Sequence, residues 1–200
     1  MTTYLILAVE DELSASVMQR LIQETGRDFA IYQTINARGY GKLKSGMKRF
    51  KNACRALPHV ILTDLDQYAC PPELLKDWKA LRLPQNLLLR IAVREVESWL
   101  LADRKGISDF LSVASNMVPQ QPENDADPKR TLINLARKSR KRHLAAELVP
   151  ERGSCAPIGA LYNVRLSEYV GSRWNVQHAR TAAPSLDRAF TRLTSFMPEV

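Results

Sequence analysis

The chain has 200 residues, 45% hydrophobic and 25% charged, and carries a formal charge of +8 at neutral pH. That length and balance describe one globular unit with enough chain for a real core, and the excess of Lys and Arg points toward polyanionic partners, nucleic acid first. Cys54, Cys70 and Cys155 are scattered without Cys-x-x-Cys or Cys/His spacing, and no apolar run approaches 18 residues, so a disulfide framework, a structural zinc site and a membrane span are excluded. A reducing cytoplasm is the expected location.

In chain order, the apolar run at 4–9 predicts a first strand. Leu13, Val17, Leu21 and Ile22 then recur at helical spacing, with Gly26 as the stop. Residues 29–35 predict a second strand, and a glycine-bearing basic loop at 38–42 follows it. A helix at 48–57 is ended by Pro58, and 59–63 is a third strand. A short helix at 73–81 and a fourth strand at 87–93 complete the alternation, which implies crossover connections and a mostly parallel sheet. Beyond it the pattern is helical: 96–102 continued by 107–113, a proline-bearing loop at 119–128, one long basic helix at 131–148, another at 158–170, and a last from Ser185 to Phe196. The expected architecture is α/β, a Rossmann-like mostly parallel four-stranded sheet flanked by helices. Its core spans 1–117, and a helical C-terminal extension at 118–200 packs on that core as a single structural unit.

The densest chemical signal is acidic. The third strand, His59-Val-Ile-Leu-Thr63, delivers Asp64 and Asp66, and the first strand delivers Glu10. If those strands are neighbours, three carboxylates meet at the C-terminal edge of the sheet, where open α/β folds keep their sites. Such a group repels itself unless a cation or a shared proton relieves it, and oxygen-only ligands suit Mg²⁺ or Mn²⁺. The competing reading is that strand-end acids, Asp11 and Glu12 included, cap the next helix. Glu95 and Glu97, after the fourth strand, either extend the ligand shell or offset the dipole of the helix they open. Gly39, Gly41, Lys42, Lys44 and Lys48 are candidates for phosphate contact, and equally for a solvated surface. They do not have P-loop spacing. The three histidines show no triad pattern, and Ser154-Cys155 has no nucleophile-elbow context.

Two families share these motifs. Ile6-Leu-Ala-Val-Glu-Asp-Glu12 with Ile61-Leu-Thr-Asp-Leu-Asp66 resembles a response-regulator receiver domain, with Asp64 in the place of the phosphorylated aspartate. The likeness ends at the fourth strand, which closes Ala92-Val-Arg-Glu95 without a hydroxyl residue, and the chain has no Lys-Pro dipeptide. Over most of its length the chain more closely resembles a stand-alone bacterial Toprim-like family with a helical C-terminal half. The shared strings are Val9-Glu10, Gly39–Lys42, Thr63-Asp-Leu-Asp66, Glu95-Val-Glu-Ser-Trp-Leu-Leu-Ala-Asp103, Pro122-Glu123, Asp127-Pro-Lys129 and Ala183-Pro-Ser-Leu186. Toprim domains occur in topoisomerases, primases and overcoming-lysogenization-defect nucleases. The resemblance implies Mg²⁺ (or Mn²⁺) held by Asp64 and Asp66, acid/base work on phosphodiesters by Glu10, Glu97 as an accessory ligand, and Lys129 among the phosphate-binding residues. Toprim glutamates are commonly followed by glycine, where this chain has Asp11. The implied activity is metal-dependent cleavage of DNA or RNA, with a separate ATPase as a possible partner. The alternative is a non-catalytic metal-binding subunit or receiver-like switch.

Overall fold

In the computed structural model, which describes residues 2–199, four strands alternate with helices through the first half of the chain. They are β1 (Thr3–Val9), β2 (Phe29–Asn36), β3 (His59–Asp64) and β4 (Leu87–Ala92), in the order β2-β1-β3-β4 and wholly parallel. β1, β3 and β4 are largely apolar because helices cover both faces of the sheet there, whereas the edge strand β2 is partly exposed. Leu5, Leu7, Val9, Val60, Leu62 and Leu88 face the larger core, under α1 (Glu12–Glu24) and the C-terminal helices. Ala8, Ile61, Leu87, Leu89 and Ile91 face a smaller one, under α2 (Tyr40–Ser45), α3 (Met47–Ala53) and α4 (Pro71–Asp77).

After β4 come α5 (Val96–Ala102), α6 (Arg104–Leu111), α7 (Pro128–Arg137), α8 (Arg142–Leu148), α9 (Tyr162–Ser172), α10 (Val176–Arg180) and α11 (Pro184–Thr194). The larger core runs without a break from β1 through α5 to α11. Among the described residues no helix is long and apolar enough to cross a membrane.

Three expectations need correction. Residues 38–42 are not an extended loop: Gly39, at φ 113, is a conformation that suits glycine, and α2 begins directly after it. The basic stretch at 131–148 is two helices rather than one. The chain turns at 138–141, where the Lys141 ammonium donates to the carbonyls of Asp109 (3.3 Å) and Phe110 (2.9 Å) at the end of α6. This docking satisfies helix-terminal carbonyls at the cost of continuity in the basic helix. The helix expected at 158–170 begins only at Tyr162, because 159–161 pairs with the end of α8 through Gly159 N–H to Leu148 O (3.0 Å) and Leu161 N–H to Glu147 O (3.1 Å). A Cβ at Gly159 would lie 2.2 Å from the Glu147 carbonyl oxygen, so only glycine permits the approach.

Ser185, at the start of α11, ties the two halves together. Its hydroxyl accepts from Trp99 Nε1 (2.7 Å) and the Val93 amide (3.1 Å), and donates to Glu123 Oε1 (2.6 Å). Asp103 is a second tie, accepting from Tyr169 OH (3.0 Å) and the Asn175 amide (2.9 Å). Both side chains are buried, so every lost bond leaves a desolvated partner. We expect Ser185→Ala to lower stability by about 1–3 kcal/mol, since it strands the Trp99 N–H, the Val93 N–H and the Glu123 carboxylate. Urea unfolding reads this directly. A midpoint unchanged from wild type would show that the hub is held by packing alone.

Candidate metal and phosphate site

The sheet order makes β1 and β3 neighbours, and this adjacency brings Glu10 to Asp64. Glu10 Oε1 accepts from Thr63 Oγ1 (2.5 Å) and from the Asp64 amide (3.0 Å), so the last turn of β3 fixes this carboxylate. Asp64 Oδ1 in turn accepts from the Val96 amide (3.0 Å), which opens α5. Asp66 stands one turn further on at φ 49, a left-handed conformation that aspartate tolerates better than most residues. There the Leu65 and Asp66 amides both donate to the Arg94 carbonyl, and the Arg94 guanidinium donates to the carbonyls of Asp66 (3.1 Å) and Tyr68 (2.7 Å). The loop after β4 thus holds the turn that follows β3.

Glu97 lies behind this edge, 1% exposed. Its Oε1 accepts from Tyr162 OH (3.0 Å) and lies 3.6 Å from Lys129 Nζ, while its Oε2 is buried with no hydrogen-bond partner. Lys129 comes from the first turn of α7 and is clamped by Glu95, whose carboxylate accepts from both the Lys129 amide (3.0 Å) and its ammonium (3.1 Å). Lys129 thus belongs to the acidic site itself.

The charge balance is uneven. Glu10, Asp64, Asp66, Glu95 and Glu97 gather around one ammonium. Burial pushes the Asp64 carboxyl well up, and the nearby charges of Glu97 and Glu10 push it further. Burial raises Glu10 too, against the lowering effect of its two hydrogen bonds. Asp66 is raised by burial and by Glu95. Glu97 is pushed up to about 7 by burial, although Lys129 pulls the other way. For Lys129, burial is outweighed by Glu97, Glu95 and Asp64, and its proton is held more tightly than usual.

Glu10, Asp64, Asp66 and Lys129 line one open groove of about 510 Å³, with Arg38 and Gly39 on its far side. Gly41, Lys44 and Lys48 are not part of it. They line a separate hollow against α4, where Lys44 pairs with Asp77 at 2.6 Å, and Lys42 is exposed outside both. Asp11 lines the acidic groove and also caps α1, accepting from the Ser14 amide at 2.8 Å. Sequence reasoning missed Thr63 as the partner of Glu10, and it missed Tyr162, which carries no motif and reaches Glu97 only because α9 packs across α1.

An all-oxygen set with excess negative charge and an orphaned buried carboxylate oxygen fits a hard divalent cation by its chemistry. It is not a preformed cage. Among the described residues no three His, Cys, Asp or Glu side chains are grouped as a ready metal-ligand set. A cation there would have to draw the carboxylates inward.

Because the folded-state Glu97 carboxyl titrates near 7 rather than near 4.5, its contribution to stability is fully present below about pH 4.5 and is lost as the pH rises through about 7. We expect the unfolding free energy to fall across that window, by no more than about 1.4 kcal/mol per pH unit from this group, and the melting temperature to fall with it. In Glu97→Gln the fall should be shallower. Equal slopes in a pH series of thermal melts would show that Glu97 stays ionised throughout.

No protein-family model matches the chain, and no curated protein sequence matches it. Among solved structures, the C-terminal region of the Burkholderia pseudomallei OLD protein aligns over 98% of this chain and 98% of that one, at 13% sequence identity and a TM-score of 0.46.

Proposed function

We propose that the protein is a metal-dependent phosphodiester-cleaving enzyme acting on nucleic acid, the activity that its resemblance to Toprim domains implies. The observation that carries this reading is the meeting of Glu10, Asp64, Asp66 and Glu97 at one sheet edge with Lys129 as their common counter-charge. An acid excess in a protein of charge +8 is relieved either by protonation or by a further cation, and a bound cation is the relief this reading takes.

Asp64 and Asp66 would hold Mg²⁺ or Mn²⁺, with Glu97 behind them. A cation bound there would polarise a phosphoryl oxygen and promote attack by water. Glu10 would supply the proton transfer: its Oε1 is fixed by Thr63 and the Asp64 amide, and the residue lines the groove. A carboxyl raised by burial is better matched to that task near neutral pH than an exposed one. Lys129 and Arg38 border the groove and would meet substrate phosphate. The exposed Lys42, Lys48 and Arg49 offer a separate contact for a longer strand. A partner ATPase belongs to the same reading, because the chain has no nucleotide-hydrolysing motif of its own.

The receiver-like alternative has less support. Among the described residues no strand follows β4, so the sheet has no fifth strand to carry the lysine such domains use. The non-catalytic, metal-binding alternative is separated by experiment. Calorimetry with Mg²⁺ and Mn²⁺ on wild type, Asp64→Asn and Asp66→Asn should show binding that both substitutions abolish. Nicking of supercoiled DNA or cleavage of RNA should fall at least about 10²-fold in each, since loss of a direct ligand costs more than loss of an outer-shell partner. Metal binding without cleavage of any nucleic acid would assign the site to structure or signalling, and no binding would remove the cation.

A further inference from the structure

A second concentration of charge, basic this time, lies on the free edge of the sheet away from the acidic groove. β4 is an edge strand, and Arg90 on it faces α11, which packs alongside. Arg188 and Arg192 stand one turn apart on that helix and line the same hollow as Arg90, about 540 Å³ in volume. Arg90 Nε is buried without a hydrogen-bond partner, and no acidic side chain forms an ion pair with any of the three among the described residues. Glu123 feels the charge of Arg188, but its Oε1 already accepts from both the Ser185 amide (2.8 Å) and the Ser185 hydroxyl (2.6 Å). Burial and then the charges of Arg192 and Arg188 bring the Arg90 guanidinium down to about 10, a cost that a folded chain without a ligand does not recover.

Three guanidiniums facing one hollow require an anion with several oxygens and more than one charge. A phosphate monoester, with nearly two negative charges at neutral pH and three terminal oxygens, fits that need better than a carboxylate or a diester. Apart from Gln85, Ser185 and Ser195, the remainder of the hollow is lined by apolar residues. Leu81 and Met197 are 65% and 67% exposed at its rim, and Leu83 and Phe196 line its wall. Its volume lies within the range of small-molecule sites, and a planar, partly apolar group beside the phosphate would cover those exposed side chains.

We propose that Arg90, Arg188 and Arg192 form a binding site for the terminal phosphate of a nucleotide, with the base against the Leu81/Met197 rim. The nucleotide is either free or the end of a strand, and both present the same phosphomonoester. This site is independent of the acidic groove and does not rest on the metal-dependent reading.

The test is calorimetric titration at constant ionic strength with five probes: inorganic phosphate, a nucleoside 5′-monophosphate, the unphosphorylated nucleoside, and one oligonucleotide with and without a 5′-phosphate. Each is titrated into wild type, Arg188→Gln/Arg192→Gln and Asp64→Asn/Asp66→Asn. Arg188 and Arg192 are exposed, so their replacement leaves packing intact. We expect the monophosphate to bind wild type more tightly than inorganic phosphate or the nucleoside does. Its affinity should fall about ten-fold or more in the arginine variant, as loss of charge-assisted bonds predicts. It should be unchanged in the aspartate variant. Preference for the phosphorylated oligonucleotide over the monophosphate would assign the strand end, and the reverse the free nucleotide. Equal monophosphate affinity in wild type and the arginine variant would overturn the site, as would no binding to wild type, or a loss confined to the aspartate variant. A monophosphate no tighter than inorganic phosphate would overturn the nucleotide assignment.

Discussion

Carboxylates taken out of water and set side by side repel one another, and the second half of this chain is arranged around that repulsion. Asp64 and Glu97 are both desolvated, and Glu10 and Asp66 add charge from the groove. A single ammonium, Lys129, answers them, and it is held in place by Glu95 through both its backbone and its side chain. That clamp fixes the first turn of α7 against the sheet. Tyr162, at the start of α9, supplies the hydroxyl that Glu97 needs. Two helices distant in sequence therefore owe their placement partly to the acids they satisfy. Glu97 Oε2 is the atom left over.

The same economy of buried polar groups explains the joints away from the site. Ser185 spends both its accepting and its donating capacity on the end of β4, on Trp99 and on Glu123. Asp103 gathers α9 and the start of α10. Both hubs bear on α5, which is buried along its whole length and carries Glu97: Ser185 holds Trp99 and the Val93 amide that precedes the helix, and Asp103 closes its C-terminal end. A helix held at both ends by hydrogen bonds in a low-dielectric core has little freedom to move, so Glu97 is presented to the edge rigidly.

Charge is distributed with equal economy. The net +8 is not spread evenly. It includes a solvated set on α2 and α3, a run at the turn between α7 and α8, and the unpaired arginines beside β4, while the acids collect at the C-terminal edge of the strands. Basic patches attract polyanions and an acidic groove repels them, so the two regions differ in the ligands their charge favours. The proposed metal and the proposed phosphate site are separate answers to separate imbalances on one sheet.

Much of this was legible in the residues. The apolar runs read as strands covered by helices, as β1, β3 and β4 are, and their alternation with helical spacing determined the α/β class. Glu10, Asp64 and Asp66 were visible because an acid directly after a buried strand has few places to go. The break at 138–141 was not visible, since local propensity favours one long helix and only the carbonyls at the end of α6 interrupt it. Lys129 read as a phosphate-binding residue, not as the counter-charge of buried acids, and Tyr162 carried no signal at all. The partner that compensates a buried charge is chosen by proximity in three dimensions, across 32 residues of chain for Lys129 and Glu97 and 65 for Tyr162 and Glu97. Sequence alone determined which groups needed a partner. Only the tertiary structure, by placing α7 and α9 over the sheet edge, decided which ones received it.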